Sequence, residues 1–557
     1  MTELAHPETM SWEQAQSAFA LPVVTDYNIA ADCLRADPAK TALITIDGES
    51  RSELSFGDLN ALSARFGAAL QGLGVSDGDR VAVKLSQSAQ MAIAVLAVLR
   101  IGAIVVPISN ALGEDALRHR LEDSTPRVVV CAGTAVELTM VQAAGAVAIS
   151  TQMTSTEVMS AQGTAEIPSM DGLIASVSGG VSGFAATGPD TPGLLLYTSG
   201  TTGSSKGVLH GHRVLLGHHA IDLALDHVRS EDVAYSPVDW AWAGGLLLGL
   251  LVPLARGLTV VAFRDTHFDP ERLIGILREA GVSVGLFPPT ALRMLRRSGL
   301  LTRQVATTLR LRSLVLGAEA VEPELMDWAT AELGISVNNA FGQTEANSLI
   351  GHSAVLGALE RGCLGRAYPG HRVAILDSDL NECPPGVAGQ IAVRADDPVC
   401  MLRYWNAPEA TAKKIQRGWL LTGDVGRIDE RQQIYFDGRS DDLIKSGGYR
   451  IGPAEVEAAV LLNPAVTECA AIGVPDPIRG QAVKVYVTLA AGQDGSDALT
   501  AQLQGQVRAK VGAYAYPRTV SYVTALPRTS TGKVNRNALR QEYAQEYAQE
   551  YAQERDS

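Results

Sequence analysis

Short apolar runs rich in β-branched residues alternate with amphipathic helical stretches along most of this 557-residue chain, and that alternation limits the folds open to it. The runs at 80–85, 127–131, 194–197, 258–263, 282–287 and 311–316 are too short for helices and read as buried strands. Between them, 269–280 and 323–333 carry helical spacing. Strands alternating with helices predict an α/β protein, its largely parallel sheets sandwiched by helices in several layers. From His371 the texture changes. Segments 372–376 and 390–394 flank the turn Pro384-Pro-Gly386, and 420–428 with 433–437 form a second hairpin, so a β-rich section closes this large region. After Gly438 comes a polar connector, Arg439-Ser-Asp-Asp442. A helix from Pro453, strands near 469–474 and 483–489, a helix around 497–510 and a strand at 519–523 follow. That α+β segment is long enough for a small independent domain.

The chain is 46% hydrophobic and 19% charged, which supports a sizeable core and excludes global disorder. A net charge of −14 makes it a poor general binder of nucleic acid or of an anionic membrane surface. The charge is uneven. Residues 442–541 hold 11 Lys/Arg against 7 Asp/Glu, while 542–557 hold five acids and one Arg. A basic C-terminal segment on an acidic body predicts an anionic client, with chance unevenness as the plain alternative. Cys33, Cys131, Cys363, Cys383, Cys400 and Cys469 are scattered without metal spacing and read as reduced, mostly buried thiols of a cytoplasmic protein. Residues 1–16 carry acids and no apolar stretch, which argues against a signal peptide. The apolar stretches 91–108 and 241–255 are broken by Arg100 and Pro253 and read as core elements rather than membrane spans. Three tandem Gln-Glu-Tyr-Ala units fill 541–552, with Tyr543, Tyr547 and Tyr551 at four-residue spacing along one helical face. They read as a solvated terminal helix, an interaction helix being the alternative.

The most informative segment is Tyr197-Thr-Ser-Gly-Thr-Thr-Gly-Ser-Ser-Lys-Gly207, directly after an apolar strand. Glycines let the backbone fold around an anion, hydroxyls and amides donate to it, and Lys206 adds a point charge. The spacing is not that of a Walker A loop, because Ser205 precedes Lys206 and Gly207 follows it. Four further segments stand in order after it: Gly317-Ala-Glu319, Phe341-Gly-Gln-Thr-Glu345, Leu421-Thr-Gly-Asp424, and the stretch from Gly438-Arg-Ser-Asp-Asp442 through Ser446-Gly-Gly-Tyr-Arg450 to Pro527-Arg-Thr-Ser-Thr-Gly-Lys533. Together they resemble the adenylate-forming superfamily of acyl-CoA synthetases, peptide-synthetase adenylation domains and luciferases, over roughly residues 30–540. Arg450-Ile-Gly-Pro-Ala-Glu-Val-Glu457, Asp476-Pro-Ile-Arg-Gly480 and Tyr514-Ala-Tyr-Pro-Arg518 look most like its medium-chain acyl-CoA synthetase branch.

The resemblance implies an AMP-forming acyl-CoA synthetase. A carboxylate attacks the α-phosphorus of ATP, giving an acyl-adenylate and pyrophosphate, and the CoA thiol then displaces AMP. Its partners would be a small-molecule carboxylic acid, ATP with Mg2+, and CoA. A homo-oligomer is compatible with it, and neither nucleic acid nor a membrane span enters. The alternative is a stand-alone adenylation enzyme that loads an acyl group onto a carrier-protein thiol. The implied plan is an adenylation domain over residues 1–438, a hinge at 439–442, a small mobile lid at 443–541 and a charged tail at 542–557.

By the same resemblance, Thr198, Ser199, Gly200, Thr201, Thr202 and Lys206 hold the β- and γ-phosphates, and Thr344 approaches the α-phosphate. Glu345 takes Mg2+, with Thr202 as a second candidate ligand. Phe341 stacks on adenine, with Asn339, Ala340, Gly317, Ala318 and Glu319 around it. Asp424 accepts the ribose hydroxyls beside Arg439. Lys533 bridges the attacking carboxylate and the α-phosphate. Asp441 is the hinge about which the lid swings to a second pose. There Gly447, Gly448 and Tyr449 face the pantetheine arm, Arg450 supports the phosphate or the thiolation geometry, and Arg479 and Arg518 take the anionic end of CoA. For the acyl group, acetate-using relatives carry a Trp where this chain has Gly342. Its absence implies room for a longer, branched or ring-bearing acid. Asn347, Trp240 and Trp242 complete the expected acyl pocket, with core packing as the plain alternative for Trp240.

Overall fold

The computed structural model describes residues 11–19, 21–152, 167–198, 205–218, 221–263, 268–317, 321, 323–357, 360, 362–439, 442, 444–446, 449–476, 479–512, 515–529 and 533–556. They divide into two compact units. The first is drawn from the residues up to Thr198, Lys206–Val373 and Val393–Leu420, the second from Ala374–Ala392 and from Leu421 onward. Five strands that carry the site are numbered along the chain: β1 (Pro192–Tyr197), β2 (Gly207–Gly211), β3 (Ser336–Gln343), β4 (Ala346–Gly351) and β5 (Arg403–Tyr404).

Within the first unit a seven-stranded sheet runs in the order β5, β2, β1, Ile104–Pro107, Arg80–Lys84, Val128–Cys131, Val147–Ser150. Its far side is parallel, while β1 and β5 each pair antiparallel with β2. The parallel strands Ile104–Pro107 and Val128–Cys131 are buried at every position, which explains their unbroken apolar runs. The second sheet orders its first-unit strands Cys363–Ala367, β4, β3, Ser313–Leu316, Val284–Phe287, Val233–Tyr235, Thr259–Ala262, Thr41–Asp47 and Ser50–Ser55. Its interior pairs are parallel, and β3 turns back on β4 antiparallel.

Between the sheets lies the helix Ala89–Arg100, buried from Met91 to Arg100. Its core cluster joins Val81, Val83 and Leu194 of one sheet to Leu43, Val260 and Val315 of the other. The 91–108 stretch is thus a core helix followed by a buried strand, as its Arg100 interruption suggested. The 241–255 stretch is a helix from Ala243 whose Leu247–Leu251 segment winds as a π-turn, packed around Trp240. No helix among the described residues is long and apolar enough to cross a membrane. All six cysteines are free, and five of them are buried.

In the second unit the antiparallel strands Trp419–Ile428 and Ile434–Arg439 place Asp424 opposite Arg439. A five-stranded sheet follows, built on the long antiparallel pair Val466–Asp476 and Gly480–Leu489, with Thr519–Tyr522 parallel to the latter. The helices Pro453–Val460 and Asp497–Lys510 lie where the sequence placed them. A short hairpin, Ile444–Ser446 with Tyr449–Ile451, was not expected; fully buried Ile444 and Ile451 anchor it. The terminal helix α1 (Arg536–Asp556) begins before the Gln-Glu-Tyr-Ala units rather than at 542. Its Leu539 and Tyr543 pack with Ala470, Ile472, Val474 and Tyr486, so the first repeat is docked on its own unit rather than wholly solvated.

Candidate active site

β1 and β2 pair with Tyr197 opposite Gly207, and the Thr198 N–H donates to the Lys206 carbonyl at 3.0 Å. The Gly/Ser/Thr loop therefore leaves and rejoins the sheet at neighbouring positions. Ser199, Gly200, Thr201 and Thr202 lie outside the described residues. The root of the loop is braced. The Tyr197 hydroxyl donates to Asp123 Oδ2 at 2.7 Å, and Trp405 Nε1 donates to the Asp123 carbonyl at 3.0 Å. Burial, then the bond to Asp123, pushes the Tyr197 phenol well up, so it stays a donor. Gly207 is demanded by packing as well, since a Cβ there would come within 2.9 Å of the Leu195 side chain and 3.0 Å of Trp405.

Thr344 and Glu345 form the tip of the β3–β4 hairpin, between the facing residues Gln343 and Ala346. Five contacts pin that tip. His210 on β2 sets Nε2 2.7 Å from the Thr344 carbonyl, and Asn347 Nδ2 donates to the same oxygen at 3.3 Å. Burial pushes the His210 imidazole down to about 4, so near neutral pH it is uncharged and donates from Nε2. The Met401 N–H donates to the Glu345 carbonyl at 2.8 Å. Lys414 Nζ donates to Gln343 Oε1 at 2.7 Å. On the side chain itself, the Tyr404 hydroxyl donates to Glu345 Oε1 at 2.5 Å. The Lys206 ammonium stands 6.0 Å from the centroid of the same Tyr404 ring. Lysine, tyrosine and glutamate thus stand side by side, two of them from the β2–β5 region and one from the hairpin.

A half-buried single carboxylate at a turn suits Mg2+, which commonly binds through one or two carboxylates and the phosphates of its nucleotide. Among the described residues no group of three or more His, Cys, Asp or Glu forms a closed metal cage. Glu345 thus offers a carboxylate donor of the kind that Mg2+ accepts.

Around β3, Gly317 must be glycine, because a Cβ would lie 2.8 Å from the Ala340 carbonyl. Ala318 and Glu319 lie outside the described residues. Asn339 donates from Nδ2 to the Leu364 carbonyl at 3.1 Å, and its own carbonyl accepts from the Tyr368 hydroxyl at 3.2 Å. Phe341 is partly exposed on the same strand.

The acyl-pocket expectations change. Gly342 sits at a bulge in β3, and a Cβ there would fall 2.4 Å from the Ser348 amide nitrogen. The space a side chain would need is filled by the β4 backbone, so this hairpin accepts only glycine at 342. Trp240 is fully buried in the first-unit core, which makes it packing. Asn347 is buried and turned to the Thr344 carbonyl, so it braces the hairpin. Trp242, at the N-terminal end of the Ala243–Leu246 helix, keeps partial exposure.

The second unit carries the remaining candidates. Arg439 NH1 lies 3.1 Å from Asp424 Oδ1, and the Asp424 N–H donates to Thr422 Oγ1 at 3.0 Å. Lys533 is exposed at the end of a loop closed by the Thr529 N–H donating to the Lys533 carbonyl at 2.7 Å. Tyr449 and Arg450 lie on the short hairpin strand; Asp441, Gly447 and Gly448 lie outside the described residues. The Arg479 N–H donates to Asp476 Oδ1 at 2.8 Å in the turn between the long strands. Arg518 is exposed and stacks on the Tyr516 ring at 4.2 Å. The clasp behind the connector was not expected: Asp442 Oδ1 accepts from Arg540 at 2.6 Å, and Arg536, 3.7 Å from Asp442, also donates to Glu457 at 2.6 Å. His210 and Tyr404 were likewise missed. Their only sequence signals are a His-Gly-His run after the phosphate loop and the Arg403-Tyr-Trp-Asn-Ala-Pro408 turn.

Residues 31–405 match the AMP-binding enzyme family, and residues 455–533 match its C-terminal domain. The chain belongs to that family, among its AMP-forming acyl-CoA ligases. The acetyl-coenzyme A synthetase of Bacillus subtilis (strain 168) is 30% identical over 90% of this chain and 87% of that protein. The mitochondrial acyl-coenzyme A synthetase ACSM4 of Rattus norvegicus is 31% identical over 97% of this chain and 95% of its own length. Among solved structures, ATP-bound MatB from Rhodopseudomonas palustris superposes with a TM-score of 0.82 at 27% identity, covering 93% of this chain and 98% of its own. A benzoate CoA ligase from Burkholderia xenovorans LB400 gives 0.79 at 26%, over 92% of this chain and 100% of its own. The α/β architecture and the adenylate-forming resemblance expected from sequence are what these comparisons show. As a member of this family the chain is an ATP-dependent ligase.

Proposed function

We propose that this enzyme joins CoA, through an acyl-adenylate, to a medium-chain, branched or ring-bearing carboxylic acid rather than to acetate. The observation that carries the adenylate-forming step is the pinned Glu345 carboxylate standing beside Lys206, across Tyr404. A carboxylate is a poor electrophile, and attack on the α-phosphorus of ATP must be steered and its charge neutralised. The β1–β2 loop and Lys206 would hold the outer phosphates, and Thr344 would meet the α-phosphate. Glu345 would hold Mg2+, which neutralises phosphate charge when bound. Asn339, its Nδ2 engaged by Leu364, would offer Oδ1 to the adenine amine, and Phe341 a face for the ring. Asp424, steadied by Arg439, would accept the ribose hydroxyls.

The products of the first step are the acyl-adenylate and pyrophosphate. In the second, the CoA sulfur attacks the acyl carbon, the acyl–phosphate bond breaks, and AMP leaves. Lys533 would serve the first step, and residues 447–450 with Arg479 and Arg518 the second, after rotation about Asp441. The net +4 balance of 442–541 supports that segment as the handler of CoA phosphates. Trp242, with its partly exposed indole, supports an apolar acyl body. The buried free thiols suit the cytoplasm.

A panel of carboxylic acids assayed for AMP release with and without CoA tests this reading. Aromatic, branched and medium-chain acids should release AMP and acyl-CoA together, well ahead of acetate. Acetate as the best substrate would overturn the acyl class. Adenylate and pyrophosphate formed with no thioester on adding CoA would transfer the enzyme to the carrier-loading reading.

A further inference from the structure

The hairpin tip that presents Glu345 is fixed twice over through its backbone. His210 and Asn347 hold the Thr344 carbonyl, and Met401 holds that of Glu345. None of these contacts decides where the carboxylate points. Tyr404 does: its hydroxyl reaches Glu345 Oε1 at 2.5 Å. Tyr404 is itself placed by the sheet, with its backbone opposite Val208 on β2 and its N–H donating to Thr411 Oγ1 at 3.0 Å. It is only 8% exposed, so the ring has little freedom to leave. Its face also lies 6.0 Å from the Lys206 ammonium.

We propose that Tyr404 is a positioning residue for the metal–nucleotide step, its hydroxyl orienting the Glu345 carboxylate and its ring seating Lys206. The proposal rests on the reading of Glu345 as the Mg2+ ligand. With Oε1 held by the phenol, Oε2 would be the oxygen left to ligate an ion. A hydrogen bond to a ligating carboxylate fixes its orientation, and its removal typically lowers metal affinity about 10–100-fold. The plain alternative is a packing tyrosine whose hydroxyl takes the nearest acceptor. That role would influence stability but not the metal.

The test uses the full-length enzyme and measures Mn2+ binding in the enzyme–ATP complex, from the enhancement of water proton relaxation over that of Mn2+ and ATP without enzyme. Four proteins are compared: wild type, Tyr404→Phe, Glu345→Gln and the double variant. Tyr404→Phe keeps the ring under Lys206, so ATP binding in EDTA, read by calorimetry, should stay within about two-fold of wild type. Its ATP-dependent Mn2+ binding should weaken at least about ten-fold. On the Glu345→Gln background the same change should add nothing. If the Phe variant melts early, both measurements are made below its melting temperature, where the same roughly ten-fold loss is expected. Wild-type Mn2+ binding by Tyr404→Phe, or an equal further loss on the Gln background, would overturn the proposal while leaving Glu345 as ligand. Unchanged Mn2+ binding by Glu345→Gln would overturn the ligand reading and the proposal together.

Discussion

At Gly342 a Cβ atom would lie 2.4 Å from the Ser348 amide nitrogen and 3.0 Å from the Ala346 carbonyl oxygen. Both neighbours are backbone and cannot swing aside as a side-chain end would. Gly342→Ala should therefore cost on the order of 1–3 kcal/mol and act alike on every acid tested. Thermal melting and the ratio of kcat/KM values for a long and a short acid check this. A stable variant with a changed ratio would restore Gly342 to the acyl pocket. Lys206, Thr344 and Glu345 stood out in the sequence as candidates because each sits inside a compact motif. Tyr404 and His210 were not legible, because their roles depend on neighbours 59 and 134 residues away. Core packing was already the alternative for Trp240, and its complete burial bears that alternative out, while Trp242 keeps partial exposure.

Helix α1 joins three parts of the second unit along one side. Arg536 and Arg540 reach Asp442, Leu539 enters the small core, and Tyr543 covers the Lys484 ammonium at 4.6 Å. Lys484 is only 5% exposed, lies 4.9 Å from the Tyr486 ring, and has Glu546 3.8 Å away. Ending the chain at residue 541 would remove Glu546 and the Tyr543 ring that covers the Lys484 ammonium, and with them part of the small core. That truncation should destabilise the second unit by about 1–3 kcal/mol, whereas ending at residue 549 keeps both groups and should cost little. Differential scanning calorimetry of the two truncated chains separates these outcomes; equal melting of both would mean that the first repeat is not a structural part of the unit. The repeat's spacing announced a helix, but the sequence did not announce its docking, since Lys484 precedes Tyr543 by a long separation. Strands with unbroken apolar runs, such as Val128–Cys131, were plain for the opposite reason: burial on both faces is written locally. The three-residue strands at 444–451 are too short to carry such a pattern.

Across the first unit, three buried histidines make stability depend on pH. Burial lowers His210, His212 and His352 from 6.5 to about 4. The unfolded chain takes up these protons near pH 6.5, while the folded chain resists until about pH 4. Their stabilising effect is therefore complete above pH 6.5 and lost progressively as pH falls toward 4, by at most on the order of 3 kcal/mol for each histidine. Urea unfolding between pH 7.5 and 4.5 should show stability falling through this window. A flat profile would mean that these imidazoles are not held neutral. The acidic average of the chain, −14, conceals the +4 segment that the proposed chemistry assigns to nucleotide and CoA phosphates. That chemistry is tested most directly by the fate of oxygen. A carboxylic acid labelled with 18O at both carboxylate oxygens is turned over with ATP and CoA, and the products are weighed by mass spectrometry. Attack on the α-phosphorus predicts one 18O in AMP, one in the acyl-CoA carbonyl and none in pyrophosphate. Label in pyrophosphate or inorganic phosphate, or unlabelled AMP beside acyl-CoA, would contradict an acyl-adenylate.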